Sequence, residues 1–149
     1  MANFVYSRAK AKLMSGDLDL NADDIRALLV MTNTTADTEE DSEFVSSITT
    51  LDEMDGAGYS RQTLTGEAVA VDTTNNRGEF TANDIKFMNV SAGTRNVAAV
   101  VLIKHVTNDT DSIPIAYIDT DSTNYLAYSP NGGSIIVAAA SGRGLIEGQ

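Results

Sequence analysis

A chain of 149 residues with 42% apolar content is long enough for one domain with its own core, and too apolar to be disordered. Its formal net charge of −11 argues against nucleic-acid binding, because phosphates would repel such a surface. Cysteine is absent, which excludes disulfides and thiolate metal sites. The sequence has no apolar run long enough to predict a membrane span.

The N-terminal region changes its apolar spacing several times. Residues 4–15 have apolar anchors at both ends and predict a short amphipathic helix, which Gly16 would end in the left-handed conformation. Residues 17–20 alternate Asp and Leu, which predicts a strand with both leucines on one face. After a turn at 21–24, the apolar run Ile25–Met31 predicts a buried strand.

The rest of the chain has the pattern of an all-β domain. A polar, acidic loop over 32–41 precedes a single predicted helical turn within 43–48. Turn-forming clusters then separate predicted strands at a spacing of roughly 8–12 residues, which is typical of a sandwich or barrel. The predicted strands are 60–64, 67–72, 78–81, 85–88, 96–105, 113–119, 125–128, 134–139 and 145–147.

These elements predict a mainly β, single-domain antiparallel β-sandwich or barrel, jelly-roll-like, with a short N-terminal helix. Residues 1–16 would form a helical docking segment and residues 17–149 the β domain. The longest apolar run, 97–103, is the expected central strand, and 135–137 is a second core candidate.

Catalytic patterns are missing from the sequence. The single histidine, His105, follows a predicted strand, and no Gly-x-Ser-x-Gly motif accompanies it. The glycines at 56–58 and 141–144 lack the context of a nucleotide loop and predict turns. We therefore predict no enzyme activity, no catalytic residues and no cofactor.

Clustered aspartates leave one alternative open. The groups at 37–41, 108–111 and 119–121 offer oxygens of the kind that calcium prefers, but no calcium-loop spacing is present. Aspartate and asparagine also cap turns through nearby backbone amides, and we favour that role over a metal site. Aromatic residues make up 6% of the chain and tryptophan is absent, which argues against a sugar-binding groove.

Cations are concentrated near the N-terminus of this acidic chain. Arg8, Lys10 and Lys12 form a basic patch that is either a solvated helix face or a docking surface for an acidic partner. The apolar residues before them would contribute to the same contact. The candidate partner-binding residues are Phe4, Val5, Tyr6, Arg8, Lys10 and Lys12.

Several phrases of the sequence resemble a known family. Residues 11–20, with Asp24 and Ile25, match a leucine–x–x–glycine–aspartate–apolar–aspartate–leucine phrase before a first strand. Residues 55–59 resemble a glycine–tyrosine turn of that family. Residues 76–87 resemble a hairpin with aromatic and acidic positions, and residues 114–119 resemble a strand that ends in aspartate. Together they are similar to a family of small structural proteins in the virions of tailed bacteriophages, although Phe87 stands where that family carries tryptophan.

The resemblance implies a function in the virion. It implies a head decoration (cement) protein that is made in the bacterial cytoplasm, binds the outer capsid surface and stabilises the lattice of the major capsid protein. The expected partners are the major capsid protein and other copies of the chain, as a homotrimer, with no nucleic acid or membrane. The N-terminal residues would reach a neighbouring copy or the capsid. The alternative is a tail- or fibre-associated protein that binds a host receptor through exposed tyrosines such as Tyr59, Tyr125 and Tyr128.

Overall fold

The computed structural model describes residues 3–119, 129–138 and 146–148. Its helices are α1, Ser7–Ser15, and a single 3₁₀ turn, Val45–Ser47. Its strands are β1 Phe4–Val5, β2 Ile25–Met31, β3 Gln62–Thr63, β4 Ala68–Asp72, β5 Arg77–Thr81, β6 Ile85–Phe87, β7 Val97–Lys104, β8 Ile113–Ile118, β9 Ile135–Val137 and β10 Ile146–Gly148.

A five-stranded antiparallel sheet in the order β1-β8-β7-β2-β3 organises the fold. Its central strands are β2 and β7, which pair from Ile25 with Lys104 to Met31 with Val97. Residues 27–30 and 99–103 are all 0% exposed, so both faces of these strands are covered. This double burial explains why the strands are continuous apolar runs rather than alternating ones.

Two smaller sheets complete the described fold, in the orders β10-β5-β4 and β6-β9. Phe80 of β5 and Phe87 of β6 enter the same core as the five-stranded sheet, together with residues of β9. The predicted mainly β, antiparallel, sandwich-like domain with a short N-terminal helix is therefore confirmed. Each predicted strand from residue 60 onward that falls on described residues is present with small shifts at its ends, whereas the predicted strand 125–128 lies outside them.

The N-terminal helix begins later than predicted. Phe4 and Val5 form β1, which pairs with β8 at the edge of the main sheet, and the helix starts only at Ser7. Tyr6 has an extended backbone, with φ −58° and ψ 140°, and joins the two elements. The ring of Phe4 stacks on Tyr117 with centroids 5.5 Å apart. Aromatic and β-branched side chains favour this half-buried strand position over a helix.

The predicted strand at 17–20 was also wrong. The backbone of Asp19 closes a local turn instead, because its carbonyl accepts from Ala22 N–H (3.1 Å) and Asp23 N–H (2.9 Å). Leu18 and Leu20 are nevertheless 4% and 7% exposed, so the leucines do face inward. The alternation indicated which side chains are buried, but no strand among the described residues pairs with residues 17–20.

Candidate interaction surface

Helix α1 packs on the sheet, is anchored at its start by a hydrogen bond to the loop at Glu40, and is capped at its end by its own backbone. Ala9 is fully buried and the helix lies against β8. At its start, Ser7 N–H donates to the carbonyl of Glu40 at 2.7 Å. At its end, Gly16 adopts φ +84° as predicted, and the carbonyl of Lys12 accepts from the next two backbone amides. A nine-residue helix needs such tertiary anchoring, since it is marginal alone.

Tyr6 is part of the core rather than of the surface. It is 0% exposed, and its hydroxyl donates to the carbonyl of Ala36 at 2.8 Å. Burial raises the pKa of this phenol far above its ordinary value, so it stays a protonated donor. Phe4 and Val5 are half-buried in β1 and pack against the same core. The three apolar candidates therefore anchor the N-terminal segment, and Tyr6 has no surface to offer a partner.

The three cationic candidates form no ion pair with any described residue. Arg8 and Lys10 are exposed and Lys12 is half-buried. Among the described residues, Lys86 on β6 is the one other cation that forms no ion pair. All the remaining described cations are paired: Arg26 with Asp24, Arg61 with Glu53 and Asp109, Arg77 with Asp72 and Glu79, Arg95 with Asp52, and Lys104 with Asp23.

The outer face of α1 combines two of these cations, Arg8 and Lys10, with apolar atoms. With Ala9 turned inward, a step of about 100° per residue places Ala11 and Met14 near the middle of the outer face. Lys10 then flanks one side and Arg8 the other. Met14 is 83% exposed, more than any of the other large apolar side chains that the structure exposes. An apolar centre with a charged rim is the anatomy of a protein-binding surface.

An acidic segment lies beside the start of the helix. Glu40, Asp41 and Glu43 are exposed, and none of their carboxylates has an ion pair or hydrogen bond within the described chain. The contact between Ser7 N–H and the Glu40 carbonyl fixes this segment next to α1. We call residues 40–43 the acidic segment. The surface is thus strongly dipolar, with cations on the helix and carboxylates next to it.

A second charged cluster, which the sequence did not reveal, is centred on Arg61. Its guanidinium donates to both oxygens of Glu53 at 2.7 Å and to both oxygens of Asp109 at 2.6 and 3.0 Å. Hydrogen bonds to these two carboxylates raise the pKa of Arg61, and the same guanidinium lowers the pKa of Asp109. The cluster joins two loops that are far apart in sequence, so no local pattern could have indicated it.

Of the three tyrosines considered for receptor binding, the structure describes Tyr59, which is half-buried. Tyr59 donates its hydroxyl to Glu53 at 2.7 Å and accepts from Leu29 N–H at 3.1 Å. Burial is the main cause of its raised pKa. Tyr125 and Tyr128 lie outside the described residues.

The aspartates at 108–111 serve local structure. Asp111 accepts from the backbone amides of Thr107 and Asn108, each at 2.9 Å, and Asp109 pairs with Arg61. No group of three or more His, Asp or Glu among the described residues has the arrangement of a metal site. The backbone N–H of His105 donates to Asp24 at 2.8 Å, which places this residue at the end of β7 as predicted.

A polar cavity of about 690 Å³ opens between β3 and β6. It is lined by residues 62–65 and 82–86, which bring hydroxyls, amides, one carboxylate and the ammonium of Lys86. The lining holds no nucleophile–base pair and no histidine.

Within the described residues, no helix is both long and apolar enough to cross a membrane. No protein-family model matches the chain, and no curated protein or solved structure does. The surface of α1 is therefore interpreted from its own geometry.

Proposed function

We propose that this chain is a structural protein of a phage virion, a head decoration (cement) protein that binds the outer capsid surface and stabilises the lattice of the major capsid protein. One observation carries the proposal: α1 presents an exposed Met14 and cations that have no ion pair among the described residues, on an otherwise acidic β domain. Such a surface is suited to contact an acidic protein surface. The sequence resemblance to virion proteins supplies the biological setting.

The physical logic of a decoration protein fits these features. The contact that one copy makes through its nine-residue helix is modest. Copies that engage the capsid lattice at several points nevertheless gain avidity from simultaneous contacts. A net charge of −11 keeps the free protein soluble before assembly. Because both ends of α1 are held by backbone hydrogen bonds, little ordering of the helix is needed on binding.

The location and copy number of the protein test this proposal. A cryo-EM map of the particle, with quantitative mass spectrometry of purified virions, should show the chain on the head lattice in hundreds of copies. Only a few copies, or tens of copies on the tail, would contradict it and favour a tail or fibre role.

A stability assay tests the cement role separately. Particles that lack this protein should lose their genome at a lower temperature or at lower ionic strength than complete particles, and added purified protein should restore them. Equal stability of the two particles would contradict a cement role even if the protein lies on the head.

A further inference from the structure

We propose that the α1 surface binds the acidic segment of a second copy of this chain, reciprocally about a twofold axis, which would make a dimer in place of the homotrimer that the sequence resemblance implies. The inference rests on the proposed function for its setting, in which α1 contributes the contact between copies rather than the contact with the capsid. The inference also specifies the acidic partner of α1, which is the set of exposed carboxylates of Glu40, Asp41 and Glu43 in the second copy.

Charge complementarity is the first argument. Three cations of α1 and three carboxylates of the acidic segment have no ion pair within the described chain, whereas every other described cation except Lys86 has a carboxylate partner. The two sets lie side by side in one copy and still do not pair with each other. A second copy can bring opposite charges face to face, which one copy cannot do.

Because the two patches are adjacent, a twofold axis is the symmetry that suits them. Ser7 N–H bonds to the Glu40 carbonyl at 2.7 Å, so the start of α1 and the acidic segment are immediate neighbours. In a twofold interface the same surface serves both subunits, and each patch meets its complement in the partner. Neighbouring patches of opposite charge satisfy that requirement in one contact, whereas a ring needs complementary patches on different sides of the subunit.

The rigidity of the surface favours the pairing. The hydroxyl of Tyr6 bonds to the Ala36 carbonyl, just before the acidic segment, and Tyr6 itself leads directly into α1. Helix and segment are therefore held to the same buried residue, and their relative position is preorganised. Met14, exposed at the far end of the helix, adds apolar area to a contact otherwise made of charges.

Sedimentation equilibrium of the purified full-length chain tests the inference. We expect a dimer whose affinity falls at least about tenfold between about 50 mM and about 500 mM NaCl, because exposed ion pairs are screened. A chain that stays monomeric up to about 1 mM, a trimer, or a dimer that is insensitive to salt would overturn it.

Charge reversal identifies the surfaces. The first variant carries Arg8→Glu, Lys10→Glu and Lys12→Glu, and the second carries Glu40→Lys, Asp41→Lys and Glu43→Lys. Each variant alone should be monomeric, because like charges then face each other in both halves of the contact. An equimolar mixture should restore the dimer, since both contacts regain opposite charges. A mixture that stays monomeric while both variants remain folded by circular dichroism would overturn the proposal.

A single substitution keeps the test valid if a triple variant unfolds. Lys10→Glu and Lys86→Glu change the net charge identically, and Lys86 lies on β6, away from α1. Only Lys10→Glu should weaken the dimer, and equal effects of the two changes would contradict the assignment. The measurement uses no capsid, so its failure overturns the twofold contact alone, whereas a location on the tail overturns the proposed function alone.

Discussion

Two cationic regions of this molecule differ in how their charges are used. Arg61 is largely buried and bonded to two carboxylates, and it joins the loop before β3 to the loop before β8. The cations of α1 are attached to an equally well-anchored backbone but have no carboxylate partner in the described chain. Within its described part, the chain thus pairs the cations that hold its loops together but not those of α1, which separates structural charges from charges available to a partner.

The largest expected effect concerns the anchor beneath α1. Tyr6→Ala should cost about 3–5 kcal/mol in the free energy of unfolding, because it leaves a cavity under the helix. Tyr6→Phe removes only the hydrogen bond to Ala36 and should cost about 1 kcal/mol. Urea denaturation measures both. A cost for Tyr6→Ala as small as that of a surface change would show that Tyr6 is not in the core.

Deleting residues 1–12 would remove this anchor, so charge reversal is the cleaner test of docking.

The next prediction tests the Arg61 cluster directly. Arg61→Met should destabilise the domain by about 1–3 kcal/mol, since it leaves Glu53 and Asp109 without their shared cation in a partly buried site. The matched change Arg8→Met should shift the free energy of unfolding by less than about 0.5 kcal/mol. If Arg61→Met and Arg8→Met lowered the free energy of unfolding by the same amount, the Arg61 cluster would not differ from α1 in its contribution to stability.

The paired carboxylates also predict a pH dependence. The pKa of Asp109 is lowered chiefly by its hydrogen bonds from Arg61, so folding favours its ionised form. Its stabilising contribution is therefore present above the unfolded pKa of about 4 and is lost as the pH falls through the folded value. Asp109→Asn should flatten the fall in stability between about pH 5 and pH 2. An unchanged slope would show that the Arg61 cluster does not hold this carboxylate.

The smallest effect on stability is expected on α1 itself. Lys10→Glu should leave the thermal unfolding midpoint close to that of Lys86→Glu, because neither ammonium has an ion pair in the described chain. Calorimetry measures this difference. A loss of more than about 1 kcal/mol specific to Lys10→Glu would indicate a structural role for that side chain.

The sequence predicted those parts of the fold that depend on local pattern. Continuous apolar runs predicted β2 and β7, because burial on both faces is visible in consecutive residues. Gly16 predicted the end of α1, because the left-handed conformation depends on that residue itself. Phe4 and Val5 were placed in the helix, since their pairing with β8 depends on residues more than a hundred positions later.

The candidate site was only half predictable for the same reason. The sequence indicated that Arg8, Lys10 and Lys12 form a basic patch, and in the structure Arg8 and Lys10 are exposed while Lys12 is half-buried. It did not show that these cations have no ion pair among the described residues while Arg61 has two, because ion pairs depend on distant segments that the fold brings together. It also could not reveal that Glu40 lies against the start of α1.

A cryo-EM map of the assembled particle that resolves side chains tests the central claim most directly. We expect α1 in each copy to lie against carboxylates of a neighbouring chain, with the side chain of Met14 inside the contact. A map in which α1 faces solvent in every copy would contradict it.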